Sequence, residues 1–361
     1  MRFLQLILIS GAIKSSSRNV IIKNCEISNT AQTAIYILGG RYNVVGNCNI
    51  HDVNNAIIVN AGDAKSLYTG GNIIRNNRIS KFARLDKTYT YAVSLYGMGH
   101  TVEHNKIYDS EHAAIYFQGV ENEIKNNDIS NVCKETEDAG AIYAGRKWTS
   151  RDNKITGNYI HDISSNIETP SPVGAIFLDD HFADVQIDGN IFANINGTAI
   201  RGNAGREHNI ANNIFVNCVQ SAWITSYPTP SVEKYATQIA DAQNFIYKNT
   251  EEVSRGKYQE KYFDELYKYD EDGTTVIVNT DELIYGKGLI YKNNLTVNGK
   301  DNPEYKFGDL CEVTIEGNKY ANNASTYFVN PASKDYTIKL SAIQSAIPGF
   351  TAIDFSAMKI D

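Results

Sequence analysis

Asp138, Asp179 and Asp180 are the side chains of this sequence best placed to do chemistry. Asp138 precedes the short apolar segment 140–144 (GAIYA), and the Asp179-Asp180 pair ends a second such segment, 174–178 (GAIFL). Glycoside hydrolysis needs two carboxyl groups, one to protonate the leaving oxygen and one to act as base or nucleophile. Adjacent aspartates at the end of an apolar strand repel each other, so their presence asks for a reason. Catalysis is the preferred reason and calcium binding the other; no cofactor is expected. Glu111 is the fallback carboxylate, because it and Asp138 both lie three residues before a recurring alanine (Ala114, Ala141). Glu111–Asp138 and Asp138–Asp180 are therefore the reserve pairs. Arg146, Lys147, Arg201 and Arg206 lie around the same segments, to tune a carboxylate, hold an anionic sugar or neutralise the aspartates.

Substrate contacts are expected from Tyr116, Tyr143, Phe177 and Arg201, with Trp148 and His181 beside them. If Ile points inward in each Ala-Ile segment, the next residue points out. That series reads Tyr36, Ile58, Ser94, Tyr116, Tyr143, Phe177, Arg201 and Ile224. Flat apolar rings beside cations suit sugars, although stacked aromatics can equally be structural.

Two marker series position these residues. Ala followed by Ile, Val or Trp begins at Ala12, Ala34, Ala56, Ala92, Ala114, Ala141, Ala175, Ala199 and Ala222. A second series places Cys25, Cys48, Asn77, Asn105, Asn127, Asn158, Asn190 and Asn213 at the centre of an apolar-x-x-Asn-x-x-Ile pattern. Steps of 22 to 24 residues dominate, which is the signature of a solenoid. Short alternating strands between Gly/Asn turns, with no helical period, predict an all-β right-handed parallel β-helix. The asparagines are expected to form a ladder and the isoleucines an inner stack. Longer steps before Ala92, Ala141 and Ala175 mark loops, which in solenoids often project on the binding face.

One domain spans 1–361, with main coils over 3–225, a helical excursion over 229–272, and returning coils from 285 closed by a tail that caps the open end. Asn294 and Asn318 resume the ladder. The N-terminal run MRFLQLILISGA is at the short limit for a signal peptide and fits the repeat frame, so the chain is expected to be part of a longer protein with further N-terminal coils. An extracytoplasmic or cell-surface location is the expectation for a full-length protein. A formal charge of −7 gives no footing for nucleic acid, and no apolar run is long enough for a membrane helix. Five widely spaced cysteines form neither a disulfide framework nor a zinc motif and are read as buried thiols.

The stretches DAGAIYAGRKWTSRDN, NYIHDI, GAIFLDDH and GNIFANINGTAIRGNAGREHNIANNIF resemble right-handed parallel β-helix proteins around glycoside hydrolase family 141. The resemblance covers about residues 19–223 and, more weakly, the segment FVNPASKDYTIKLSAIQSAIPGF. It implies a glycosidase of the fucosidase or xylanase type acting on plant polysaccharides, with catalytic aspartates falling on Asp138 and Asp179. Three residues before one alanine and four after the next would separate these by about 23 Å along a straight strand, so the chain must bend at both corners. TSRDN lacks the glycine expected after the arginine, and the longer N-terminal region of relatives is missing. A polysaccharide lyase, using Arg or Lys on an acidic sugar, and a non-catalytic glycan-binding β-helix are the alternatives.

Overall fold

A computed structural model describes residues 11–168, 171–225, 248, 257–262, 267–269, 276–278, 286–297, 305–309 and 311–351. Three parallel sheets of ten strands each run its length as a right-handed parallel β-helix. Each coil contributes one strand to each sheet. The first sheet begins at Ile13–Ser15, the second at Ile21–Lys23 and the third at Glu26–Ser28.

The register aligns like with like. In the first sheet Ile35, Ile57, Val93, Ile115, Ile142, Ile176 and Ile200 pair in sequence and are buried. Parallel coils stack at about 4.8 Å, so a repeated Ile becomes a continuous aliphatic column. At Ala222 the frame shifts by one residue. Ala222 itself takes the inward place opposite Ile200, Trp223 faces out opposite Arg201, and Ile224 is buried. The expected outward place of Ile224 is thus corrected; the preceding Ser221 occupies the marker position.

The asparagine ladder forms at the turn between the second and third sheets. Asn77, Asn105, Asn127, Asn158, Asn190, Asn213 and Asn294 each pass a side-chain N–H to the Oδ1 of the next, ending on Asn318, at 2.9–3.1 Å. The same oxygens accept the backbone N–H one coil back, so each ladder oxygen takes two donors. The doublets Asn76-Asn77, Asn126-Asn127, Asn212-Asn213 and Asn293-Asn294 divide the labour. The first residue takes the left-handed turn conformation that asparagine tolerates, and the second makes the ladder. A second ladder, absent from the sequence reading, links Asn43, Asn72, His100, Asn122 and Asn153 before the second sheet. All five cysteines are free, with Cys48, Cys133 and Cys218 buried and Cys25 and Cys311 half-buried.

Three insertions, 81–91, 131–139 and 164–173, all enter between a third-sheet strand and the next first-sheet strand. Stacking therefore gathers them on one side. Most of 229–272 lies outside the described residues. Within it, helix Lys257–Tyr262 docks on the solenoid, its Tyr258 phenol donating to the Thr149 carbonyl at 2.6 Å and Tyr262 reaching Glu121. The described part of the C-terminal tail packs on the third sheet, burying Phe328, Tyr336 and Ile343 against Ile191, Ile214 and Leu295. Residues 1–10, where further coil was expected, lie outside the described residues. Among the described residues, no helix is long and apolar enough to cross a membrane.

Candidate active site

Strands Gly140–Gly145 and Gly174–Asp179 are neighbours in the first sheet, with Tyr143 opposite Phe177 and Gly145 opposite Asp179. Their ends bend sharply. Asp138, Arg146, Asp180 and His181 adopt positive φ of 49°, 56°, 38° and 61°. Left-handed residues at the strand ends turn the flanks off the straight path. Asp138 and Asp179 accordingly line one cleft of about 510 Å³, with Arg146, Glu137, Gln118 and five tyrosines.

Asp179 is the most enclosed of the three aspartates. Burial, then the adjacent Asp180 charge, raise its carboxyl above the usual range. Hydrogen bonds from Asn203 Nδ2 (3.2 Å) to Oδ1 and from the Tyr143 phenol (3.0 Å) to Oδ2 only partly offset this. Asn203 also donates to Asp180 and is itself held by Thr225 Oγ1 at 2.9 Å. Asp180 accepts from Arg146 Nε at 2.7 Å. Asp138 is ion-paired with Arg201 Nη1 at 3.0 Å and accepts from Ser171 Oγ at 3.1 Å. Its backbone N–H donates to the Ser171 carbonyl, so the 164–173 insertion holds it in place.

Gly145 leaves the space that joins these groups. A Cβ there would lie 3.1 Å from Asp179 Cβ and 3.2 Å from the Tyr143 hydroxyl. Either contact would crowd the phenol off the carboxylate.

Several expected contacts are corrected by burial. Trp148 is 1% exposed and lies under the Arg151 guanidinium, 4.4 Å from its ring, inside the loop that Tyr258 closes. Phe177 is 1% exposed because Arg201 lies across its ring at 4.3 Å and Tyr143 packs edge-on. His181 is 4% exposed, and burial pushes its imidazole down to about 4. Glu111 is not the coil neighbour of Asp138. Its carbonyl meets the Glu135 N–H, and Lys87 lies between the two glutamates, because the 131–139 insertion shifts Asp138 out of that place. Arg206 is buried beside Glu207, away from the cleft. Tyr116 and Tyr143 stack at 6.1 Å on neighbouring coils and line the cleft, whereas Arg201 lies two coils beyond Tyr143, over Phe177.

Sequence reasoning missed Asn203, Ser171, Tyr89, Tyr91, Tyr96 and His112. Two of these were within reach of the repeat. Four residues after successive marker alanines stand Tyr96, Gln118, Gly145, Asp179 and Asn203, a single column along the sheet. Ser171, Tyr89 and Tyr91 come from insertions, where no period operates.

Fold and register define a right-handed parallel β-helix with a carboxylate cleft on its first sheet. The family described as right handed beta helix region matches residues 9–86 and 66–236, well over half of the chain, and the chain belongs to it. No curated protein matches it significantly. Among solved structures, XylC in complex with xylose aligns with 80% of this chain at 14% identity and a TM-score of 0.31. The chain covers 55% of that protein, little more than half its length.

Proposed function

We propose that the chain is a glycoside hydrolase that cuts a plant-type polysaccharide or its oligosaccharides. The observation that carries this reading is the placing of Asp138 and Asp179 on one cleft in unlike surroundings. Asp179, enclosed beside Asp180, favours the protonated form and serves as the general acid towards the glycosidic oxygen. Asp138, ion-paired with Arg201, is the carboxylate that activates water or attacks the sugar. Asp180 sets the charge beside the acid, and Asn203 and Tyr143 orient it. The resemblance to glycoside hydrolase family 141 supports the same pair. A lyase would need a cation free to meet an acidic sugar, but Arg146 and Arg201 are committed to Asp180 and Asp138.

The test is a screen of fucosides, xylan and pectic polymers, read both for new reducing ends and for ultraviolet-absorbing unsaturated products. Reducing ends without unsaturation, lost by about 10²-fold or more in Asp138→Asn and Asp179→Asn, are the expected result. Unsaturated products would make the protein a lyase. Activity that survives both substitutions would end the assignment.

A further inference from the structure

The cleft extends well beyond the aspartates. From Asp179 it crosses the coils of Gly140–Gly145 and Ile115–Phe117 to Val93–Gly97, three coil steps or roughly 14 Å. Its far end is lined by Tyr89, Tyr91, Tyr96, Tyr116 and His112, none of which has a part in the acid–base chemistry. The rings form a wall, with Tyr91 on Tyr116 at 5.1 Å and Tyr96 on Tyr116 at 5.4 Å.

That end carries polar atoms without protein partners. Tyr91 is 5% exposed, and neither its phenol nor that of Tyr96 has a hydrogen-bond partner among the described residues. His112 is 6% exposed; its Nε2 accepts the Tyr89 backbone N–H at 3.2 Å, which leaves Nδ1 carrying the proton, and Nδ1 has no partner. Of these groups His112 Nδ1 is the one both buried and unpaired, while the Tyr91 and Tyr96 phenols keep contact with solvent in the cleft, where a ligand bearing hydroxyls would pair them. The groups are also uncharged. Burial raises the phenols of Tyr91, Tyr96 and Tyr116 and pushes His112 down to about 4.

We propose that Tyr89, Tyr91, Tyr96, Tyr116 and His112 form a subsite for an uncharged sugar ring, adjoining the ring held at Asp138 and Asp179. The inference rests on the reading of the cleft as a glycan site, and it narrows the substrate to a neutral glycan at least two units long. Tyr89, 80% exposed, offers a ring face for stacking, while the phenols and imidazole N–H supply hydroxyl partners. A uronic acid here would lose water and gain no cation, since Arg146, the cleft's cation, stands at the Asp179–Asp180 end.

Binding to the full chain carrying Asp179→Asn, measured by calorimetry, tests this without turnover. The probes are xylotetraose, cellotetraose, mannotetraose and a fucosylated xyloglucan oligosaccharide, with tetragalacturonate as the anionic counterpart. At least one neutral probe is expected to bind at least tenfold tighter than tetragalacturonate. Tyr91→Phe and Tyr96→Phe, which keep the rings, should each weaken it about fivefold to tenfold. Failure of every neutral probe, preference for tetragalacturonate, or unchanged affinity in both tyrosine variants would overturn the subsite. Binding with this pattern but no reducing ends from the wild type would leave the subsite and remove hydrolysis. Hydrolysis with unchanged affinities in the variants would do the reverse.

Discussion

The Tyr143 phenol donates to Oδ2 of Asp179 at 3.0 Å from the adjacent coil, across the gap that Gly145 leaves. The bond favours the charged carboxylate, whereas burial and Asp180 favour the protonated one. Two substitutions should therefore move the acid in opposite directions. Tyr143→Phe removes a group that lowers its pKa, so the alkaline limb of the kcat/KM profile should move to higher pH. Asp180→Asn removes a like charge, so the limb should move to lower pH. Parallel shifts in both variants would show that another group sets that limb.

Asp179 also sets a stability expectation. A carboxyl raised in the folded state favours folding below its unfolded value, and this contribution is lost as pH rises through the folded value. At neutral pH, Asp179→Asn should raise Tm by about 2 °C while removing activity. A fall in Tm at pH 7 would make Asp179 a structural anchor.

Trp148 illustrates how burial changes an expectation. Trp148→Ala should cost about 3–5 kcal/mol of stability, read as a shift in denaturant midpoint, because it opens a cavity beneath the loop closed by Tyr258. A variant that keeps its stability and loses only glycan affinity would return Trp148 to the binding surface.

His161 bonds Asp162, which ties the solenoid to its C-terminal tail through Lys334. Burial alone would lower its pKa, but hydrogen bonds with Asp128 (3.0 Å) and Asp162 (2.8 Å) raise it. Asp162 is held low chiefly by His161, and Lys334 of the tail, 2.9 Å away, adds to this. The raised histidine stabilises most below about 6.5 and less as pH rises through its folded value, while the depressed aspartate stabilises above about 3.8. His161→Gln should therefore lower Tm by several degrees at pH 5.5 and by less at pH 8. Equal losses at both pH values would mean that the ring acts by packing alone, through its 4.1 Å stack on Tyr159.

Asn127→Ala should cost about 2–4 kcal/mol, because the Asn105 backbone and side-chain N–H groups would both lose their acceptor inside the solenoid. Urea melts would register it as a lower midpoint, and an unchanged midpoint would show that water replaces the ladder.

The sequence by itself determined the coil. A dominant period of 22 to 24 residues, an inward Ile and an Asn at the turn recur in most copies, and stacking aligns what is repeated. The same frame placed Asp179, because its offset from Ala175 matches that of Asn203 from Ala199. Only the tertiary structure decided which side chains meet at the site. Left-handed corners at Asp138 and Asp180 bring both flanks to one cleft, where a straight-strand reading kept them apart. Insertions bring Tyr89, Tyr91 and Ser171 to it, and their conformation depends on contacts between coils rather than on any period. Exposure was settled in the same way. Phe177 and Tyr143 hold equivalent places in the repeat, yet Arg201 from the next coil lies over Phe177 and not over Tyr143. Which neighbour covers a side chain is a property of the packed solenoid, and one repeat of sequence does not contain it.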